Sequence, residues 1–221
     1  MVKLVFHGNV LSPPARTPLW VLKTLGVEHE FKHVAIFTES RSEEYTSKVN
    51  VFGQVPALEV DGTFITQSST IIRYLANEFD KDGIILPSGD HLERAKAEEI
   101  LDIGATTVRM STLKAIGPIF AGPKYFGLEK VSEEEEKKLI EEVQATFGKL
   151  NTKLGDKPYF TGDKLTVGDV YIFNDLQTTQ FILKIDLSDH PQLNAWYETV
   201  SKDEIVAELS KEMFDIISQK E

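Results

Sequence analysis

The chain contains no cysteine among its 221 residues. This absence excludes disulfide bonds, a Cys-x-x-Cys redox pair, thiolate zinc sites and a cysteine nucleophile. Long apolar runs are also missing, because no run approaches the roughly 18 apolar residues that a membrane-spanning helix needs. Basic residues are few, with 24 Lys and Arg against 35 Asp and Glu and a net charge of −11. We therefore expect neither a nucleic acid nor a membrane as a partner.

The N-terminal segment gives no sign of a targeting signal. Its first residues, Met-Val-Lys-Leu-Val-Phe, are too few for the apolar core of a signal peptide and predict a first strand instead. We therefore expect a cytoplasmic protein. With 41% apolar residues, a chain of this length can bury one large core or two modest ones.

Apolar periodicity divides the chain into two parts. Residues 1–80 alternate between strand and helix periods in the order β-α-β-α-β-β-α, which predicts an α/β domain with a thioredoxin-like fold. Residues 81–89 contain two Gly and a Pro and predict a linker. In residues 90–221 apolar side chains recur at spacings of three and four, which predicts an all-α helical domain. The elements predicted in the first part are strands at 2–6 and 28–36 (the latter with apolar Phe31 and Val34), helices at 14–25 and 42–48, a hairpin over 57–66 and a helix that opens at Gln67-Ser68.

The most informative segment runs from Asn50 to Leu75. Pro56 has no N–H for a ladder and fits only the start of a strand, which leaves the backbone of Val55 available for another partner. Asp61-Gly62 between two apolar runs predicts a hairpin turn. Ser68 begins a helix, and a helix N-terminus attracts a carboxylate.

Three pieces of this segment, N-x-F-G-Q-V-P-A-L, D-G and Q-S-x-x-I-x-R-Y-L, together resemble the glutathione-binding half of the cytosolic glutathione S-transferases. The resemblance implies that the Val55–Pro56 bond is cis and that the Val55 backbone pairs with the cysteinyl backbone of glutathione. It also implies that Gln67 and Ser68 hold the γ-glutamyl end. Glutathione is thus the expected co-substrate, and no metal is expected.

Arginines in the first domain are candidates for the carboxylates of the tripeptide. Arg41, together with Gln54, is expected at the glycyl carboxylate. Arg16 and Arg73 lie in the same part of the chain, and ordinary surface ion pairs are the alternative for all three arginines.

The chemistry of this family is attack by the glutathione thiolate on an electrophile, which requires a hydroxyl that stabilises the anion. The first strand ends without a tyrosine, but Ser12 begins an S-P-x-x-R sequence that resembles the serine-type phi and theta classes. From the residues alone, Ser12 fits two roles, a helix cap before a proline or the hydroxyl donor to sulfur. The resemblance favours the second role. Gln67 replaces the acidic residue of those classes, so we assign no class.

The second half carries a further signal. Thr166 and Asp169 form a predicted capping box with Asp at the third helical position, and Leu165 and Val170 form a hydrophobic staple. This box, and the segment H-P-x-L-x-x-W from His190, resemble features of the same family and extend the resemblance over the whole chain. Asp169 is predicted to support folding and to take no part in catalysis.

The resemblance implies a detoxification enzyme that joins glutathione to small hydrophobic electrophiles, with glutathione peroxidase activity as a further expectation. The alternative is a non-catalytic member of the same fold that binds ligands or proteins. A homodimer is expected, with Asp102 of one subunit near the glutathione of the other. The electrophile site is expected between the domains, lined by Val10, Leu11, Val108, Met110 and Phe120.

Overall fold

The computed structural model describes residues 2–218. These residues form two compact units. The first contains the described residues up to Arg94 together with those from Asp203 onwards, and the second is Ala95–Lys202. The predicted domain limits of 1–80 and 90–221, with a linker at 81–89, stay a prediction.

The first unit is built on a mixed sheet whose described strands lie in the order β2-β1-β3-β4. β1 (Leu4–Gly8) pairs in parallel with β2 (Glu30–His33) and antiparallel with β3 (Ala57–Val60), and β4 (Thr63–Thr66) completes a hairpin with β3. Asp61 and Gly62 connect the hairpin at φ values of 47° and 86°, the backbone form that a two-residue hairpin turn favours. Parallel and antiparallel pairing in one sheet confirms the predicted fold class.

β2 is shorter than the strand at 28–36 that the sequence predicts. It lies at the edge of the sheet, and its apolar Phe31 is 41% exposed. Its ring still stacks on Phe6, with 6.1 Å between the ring centroids. Val34 is fully buried beyond the end of the strand, where its N–H donates to the Gly8 carbonyl oxygen over 2.9 Å.

Four helices complete the first unit. α1 (Pro13–Thr24) and α3 (Ser68–Phe79) pack against each other, and α2 (Glu43–Lys48) is a short helix between β2 and β3. The last helix of the chain, α10 (Glu204–Ser218), packs on α1. The Trp20 indole N–H donates to the Asp203 carboxylate over 2.9 Å at the start of this helix. The placement of α10 in the first unit is a feature that the periodicity did not predict.

A single carboxylate orders the segment after α3. Asp80 is 7% exposed, and its oxygens accept the backbone N–H groups of Ile84, Ile85 and Leu86 over 2.7, 2.7 and 3.1 Å. Ile85 and Leu86 are thereby buried. The non-helical character predicted for this segment is confirmed.

The second unit is helical, as predicted. Its longest helix, α7, presents a buried apolar face at the predicted spacing, and almost every residue of α8 is buried. Within residues 2–218 no helix is long and apolar enough to cross a membrane. The elements are α4 (His91–Asp102), of which the part from Ala95 onwards belongs to this unit, a π-helical segment (Ile103–Val108), α5 (Arg109–Ile116), a second π-helical segment (Gly117–Ala121), α6 (Gly122–Phe126), α7 (Glu133–Leu154), α8 (Val167–Leu183) and α9 (Pro191–Val200).

The predicted capping box at the start of α8 is confirmed. One oxygen of Asp169 accepts the Thr166 N–H and hydroxyl over 3.0 and 2.8 Å. The other accepts the Phe160 N–H and the Trp196 indole N–H, each over 2.9 Å. Burial raises the pKa of Asp169, and the four donated bonds oppose that rise. The carboxylate therefore joins the preceding loop, α8 and α9 inside the second unit.

Candidate active site

Ser12 ends the loop between β1 and α1 and occupies the N-cap position of α1. Prolines at the first helical positions, Pro13 and Pro14, have no N–H that a cap oxygen could accept. The N–H of Ala15 donates to the Ser12 carbonyl oxygen instead, over 2.9 Å. Within the described residues the hydroxyl makes no capping hydrogen bond. Of the two roles that the sequence leaves open, capping has no support in this geometry.

Arg16 lies in the first unit with its side chain fully buried. Its guanidinium donates to the Val10 carbonyl oxygen over 3.1 Å and contacts the sulfur of Met213 in α10. The Arg16 side chain therefore does not lie on the surface, where the alternative considered for this residue would place it. The positive charge instead supports the loop that carries Ser12.

The Val55–Pro56 peptide bond is cis, as the resemblance implied. The carbonyl oxygen of Gln54, just before it, accepts the Tyr45 hydroxyl over 3.1 Å and the Asn50 amide over 2.8 Å. Burial, with a smaller effect from Glu39, raises the pKa of Tyr45 to about 12. The hydroxyl therefore keeps its proton and can donate at neutral pH. Sequence reasoning missed Tyr45 and Asn50 as supports of this loop, although Asn50 opens the motif.

Gln67 and Ser68 lie at the junction between β4 and α3. Gln67 is the N-cap residue and has φ 69° and ψ 116°. A positive φ strains a residue other than glycine, and such strain concentrates at functional sites. Ser68 is the first helical residue and is 8% exposed. The geometry is compatible with the anion site that the resemblance implies for the γ-glutamyl end.

A glycine brings the segments of Arg41 and Gln54 together. Gly53 has φ 62°, and a Cβ at this position would lie only 3.1 Å from the Ser40 carbonyl oxygen. The turn that carries Arg41 can therefore pack directly against the loop that carries Gln54. The Arg41 guanidinium lies over the Phe37 ring, 5.7 Å from its centroid.

The residues predicted to line the electrophile site have different surroundings. Val10 and Val108 are buried, whereas Met110 is 65% exposed. Leu11 and Phe120 are half-buried. Val108 and Met110, close neighbours along the chain, therefore do not share a surface. The composition of this site stays a prediction.

Asp102 is the last residue of α4 and is exposed. Its carbonyl oxygen accepts the Thr106 hydroxyl over 2.7 Å, where the π-helical segment begins. The predicted approach of its carboxylate to the glutathione of a partner subunit stays a prediction. In the part of the chain that the structure describes, no three or more His, Cys, Asp or Glu side chains form a group that could hold a metal ion.

Removing either donor to the Gln54 carbonyl oxygen should weaken glutathione binding. Tyr45→Phe deletes one hydrogen bond and should cost about 0.5–1.5 kcal/mol, a loss of roughly two- to twelvefold in affinity. Asn50→Ala deletes two, because its Oδ1 also accepts the Phe52 N–H over 3.1 Å, and it should cost more. The double variant leaves the Gln54 carbonyl oxygen without either donor. Its glutathione affinity should fall by more than the product of the two single-variant losses. Calorimetric titration with glutathione measures this, with Ser47→Ala on the exposed side of α2 as the control. Wild-type affinity in the double variant would contradict the assignment.

The described chain combines a mixed sheet, a cis-proline directly before β3 and a helical second unit. Residues 3–77 match the family model for the glutathione S-transferase N-terminal domain. Residues 108–204 match the family model for the glutathione S-transferase C-terminal domain. The chain therefore belongs to the glutathione S-transferase family.

Individual relatives agree with this assignment. The chain is 27% identical over 192 residues to glutathione S-transferase D6 of Drosophila melanogaster, which covers 86% of this chain and 84% of the relative. An epsilon-class glutathione S-transferase from the housefly, Musca domestica, is similar in structure with a TM-score of 0.81 at 29% identity, covering 99% of this chain and 98% of the other. Human glutathione-S-transferase T1-1 in its apo form has a TM-score of 0.86 at 25% identity, covering 97% and 89%. These relatives carry different class labels, and we assign no class to this chain.

Proposed function

We propose that this glutathione S-transferase joins the thiolate of glutathione to small hydrophobic electrophiles, with Ser12 as the catalytic residue. The observation that carries the proposal is the Ser12 hydroxyl. It lies at the N-terminus of α1 in a residue that is 7% exposed, and in the described structure it makes no capping bond. A hydroxyl in this position is available to a bound sulfur.

The thiol of glutathione ionises near the value of free cysteine, about 8.5, so only a small fraction is thiolate at neutral pH. A hydroxyl that donates to the sulfur stabilises the anion and lowers its pKa. The N-terminus of α1 contributes partial positive charge. Because Pro13 and Pro14 have no N–H, the Ser12 hydroxyl is the donor that we assign to the thiolate. The buried Arg16 adds positive charge to the same loop.

The rest of the tripeptide is assigned to the segments around the cis bond. The backbone of Val55 would pair with the cysteinyl residue, and Gln67 and Ser68 would hold the γ-glutamyl end. Arg41 and Gln54 would hold the glycyl carboxylate. The support for these roles is the strained Gln67 at a helix N-terminus and the packing of Gly53 against Ser40.

Binding to immobilised glutathione, followed by conjugation of a chlorodinitrobenzene-type electrophile, tests the proposed function. We expect retention on the resin, elution by free glutathione and enzymatic conjugation above the spontaneous rate. Retention without conjugation of any electrophile in a broad panel would instead favour the non-catalytic alternative. An organic hydroperoxide in the same panel tests the proposed peroxidase activity, which would use the same thiolate.

We also propose a homodimer in which Asp102 contributes to the site of the partner subunit. Light scattering at the assay concentration measures the oligomeric state, and Asp102→Asn tests the contribution to glutathione affinity. A fully active monomer would exclude this arrangement.

A further inference from the structure

We propose that Asn9 is a positioning residue that fixes the Ser12 hydroxyl in place for the thiolate. The proposal rests on the proposed role of Ser12. Asn9 follows the last residue of β1 and begins the loop that ends at Ser12. It is 4% exposed, so its polar side chain is almost completely removed from water.

The side chain and backbone of Asn9 bridge two parts of the first unit. Its Nδ2 donates to the Val34 carbonyl oxygen and bonds to Nε2 of His33, each over 3.0 Å. Its Oδ1 accepts the Leu11 N–H over 3.0 Å, and its carbonyl oxygen accepts the Ser12 N–H over 2.9 Å. One end of the bridge is therefore the chain that leaves β2, and the other end is the loop that carries the catalytic hydroxyl.

The partners of Asn9 determine the orientation of its amide. The Val34 carbonyl oxygen can only accept a hydrogen bond, and the Leu11 N–H can only donate one. The amide must therefore direct Nδ2 to Val34 and Oδ1 to Leu11, because the reverse orientation would place acceptor against acceptor and donor against donor. Among side chains of this size, a carboxylate has no N–H to donate to the Val34 carbonyl oxygen. An alkyl group has neither this donor nor the acceptor for the Leu11 N–H.

This bridge bears on the thiolate because hydrogen-bond strength falls steeply with distance and angle. Without the Asn9 amide, the Leu11 N–H and the Val34 carbonyl oxygen lose partners inside the unit, and the loop must shift to satisfy them. Ser12 follows Leu11 directly, so the shift moves its hydroxyl. The thiol of bound glutathione then ionises less readily, while the contacts around Val55 and Ser68 are untouched.

Asn9→Ala tests this inference. We expect the pKa of the bound thiol, taken from the pH profile of kcat/KM and from thiolate absorbance, to rise by about half a unit to one unit. At neutral pH this corresponds to about a three- to tenfold loss of kcat/KM. The dissociation constant for glutathione should change by less than about twofold. Asn9→Ser provides a second variant if the alanine variant does not fold, because its hydroxyl can still accept the Leu11 N–H but is too short to reach Val34.

Asp80→Ala is the matched control. It also removes a buried polar side chain of the first unit, one that holds three backbone N–H groups between residues 84 and 86. It should lower Tm while leaving the thiol pKa at the wild-type value. An equal pKa rise in this control would show that any loosening of the unit has the same effect, and the proposal would be overturned.

A double-mutant cycle with Ser12→Ala separates this inference from the proposed function. If Asn9 acts through Ser12, Asn9→Ala in the Ser12→Ala background should change kcat/KM by less than about twofold and the thiol pKa by less than about 0.3 unit. If Asn9→Ala had its full effect in the Ser12→Ala background, the positioning role of Asn9 would be overturned, but the proposed role of Ser12 would stand. A thiol pKa that does not depend on Ser12 at all would overturn both the proposed role of Ser12 and this inference.

Discussion

Replacing Ser12 with alanine is expected to lower kcat/KM at neutral pH by about tenfold or more without destabilising the protein. Loss of one hydrogen bond to the thiolate, about 1.4 kcal/mol, raises the thiol pKa by about one unit. Stability should be retained because the hydroxyl makes no capping bond in the described structure. The pH profile of kcat/KM and a thermal melt of the same preparation measure the two effects separately.

Ser132→Ala is the control with the opposite expectation, a loss of stability without a loss of activity. Ser132 is the N-cap of α7 and accepts the Glu135 N–H over 3.2 Å. Its removal should cost about 0.5–2 kcal/mol of stability and leave activity per folded molecule unchanged. A Ser12→Ala variant with full activity and an unshifted pH profile would remove Ser12 from the mechanism. A large fall in its Tm would show that its hydroxyl has a structural role after all.

Asp169→Ala is expected to have the largest effect on stability, on the order of 4 kcal/mol. Truncation leaves the Phe160 N–H, the Thr166 N–H and the Trp196 indole buried without an acceptor, at about 1–3 kcal/mol for each group that finds no substitute. For a chain of this size, Tm should fall by about 10 °C or more. Denaturant unfolding and differential scanning calorimetry measure the loss.

An exposed carboxylate of the preceding loop, Asp163, supplies the control. Asp163→Ala should stay within about 0.5 kcal/mol of the wild type. If Asp169→Ala retained its stability but lost activity per folded molecule, the carboxylate would be a functional group, and the folding role that we assign to it would be wrong.

Features of the fold and the site that depend on local chemistry could be predicted from the sequence. The Asp61-Gly62 turn, the start of β3 directly after Pro56 and the cap of α8 each follow from residues that are near one another in the chain. The strand limits were less accurate. β1 was expected at 2–6 and lies at Leu4–Gly8, because the ends of a strand depend on where its neighbours offer partners.

The supports of the site could not be predicted, because they join residues that are distant in sequence. The burial of Arg16 depends on α10, and the role of Tyr45 depends on the approach of its hydroxyl to the Gln54 carbonyl oxygen. Likewise, the π-helical segment that contains Gly104 has no signature in the sequence pattern. A Cβ at Gly104 would lie 2.9 Å from the Tyr171 ring, so the glycine is required by a contact with α8.

The two prolines after Ser12 have an evolutionary consequence. Pro14 removes one N–H that a serine cap would normally accept, and the Ala15 N–H donates to the Ser12 carbonyl oxygen instead, so no capping bond ties the hydroxyl to the fold. Under the catalytic role that we propose for Ser12, selection on catalysis would then be what preserves the hydroxyl. A single nucleotide substitution at this codon could then convert the enzyme into a stable glutathione-binding protein. On this scaffold, a lineage could exchange catalysis for binding in one step, with no need for compensatory changes in the core.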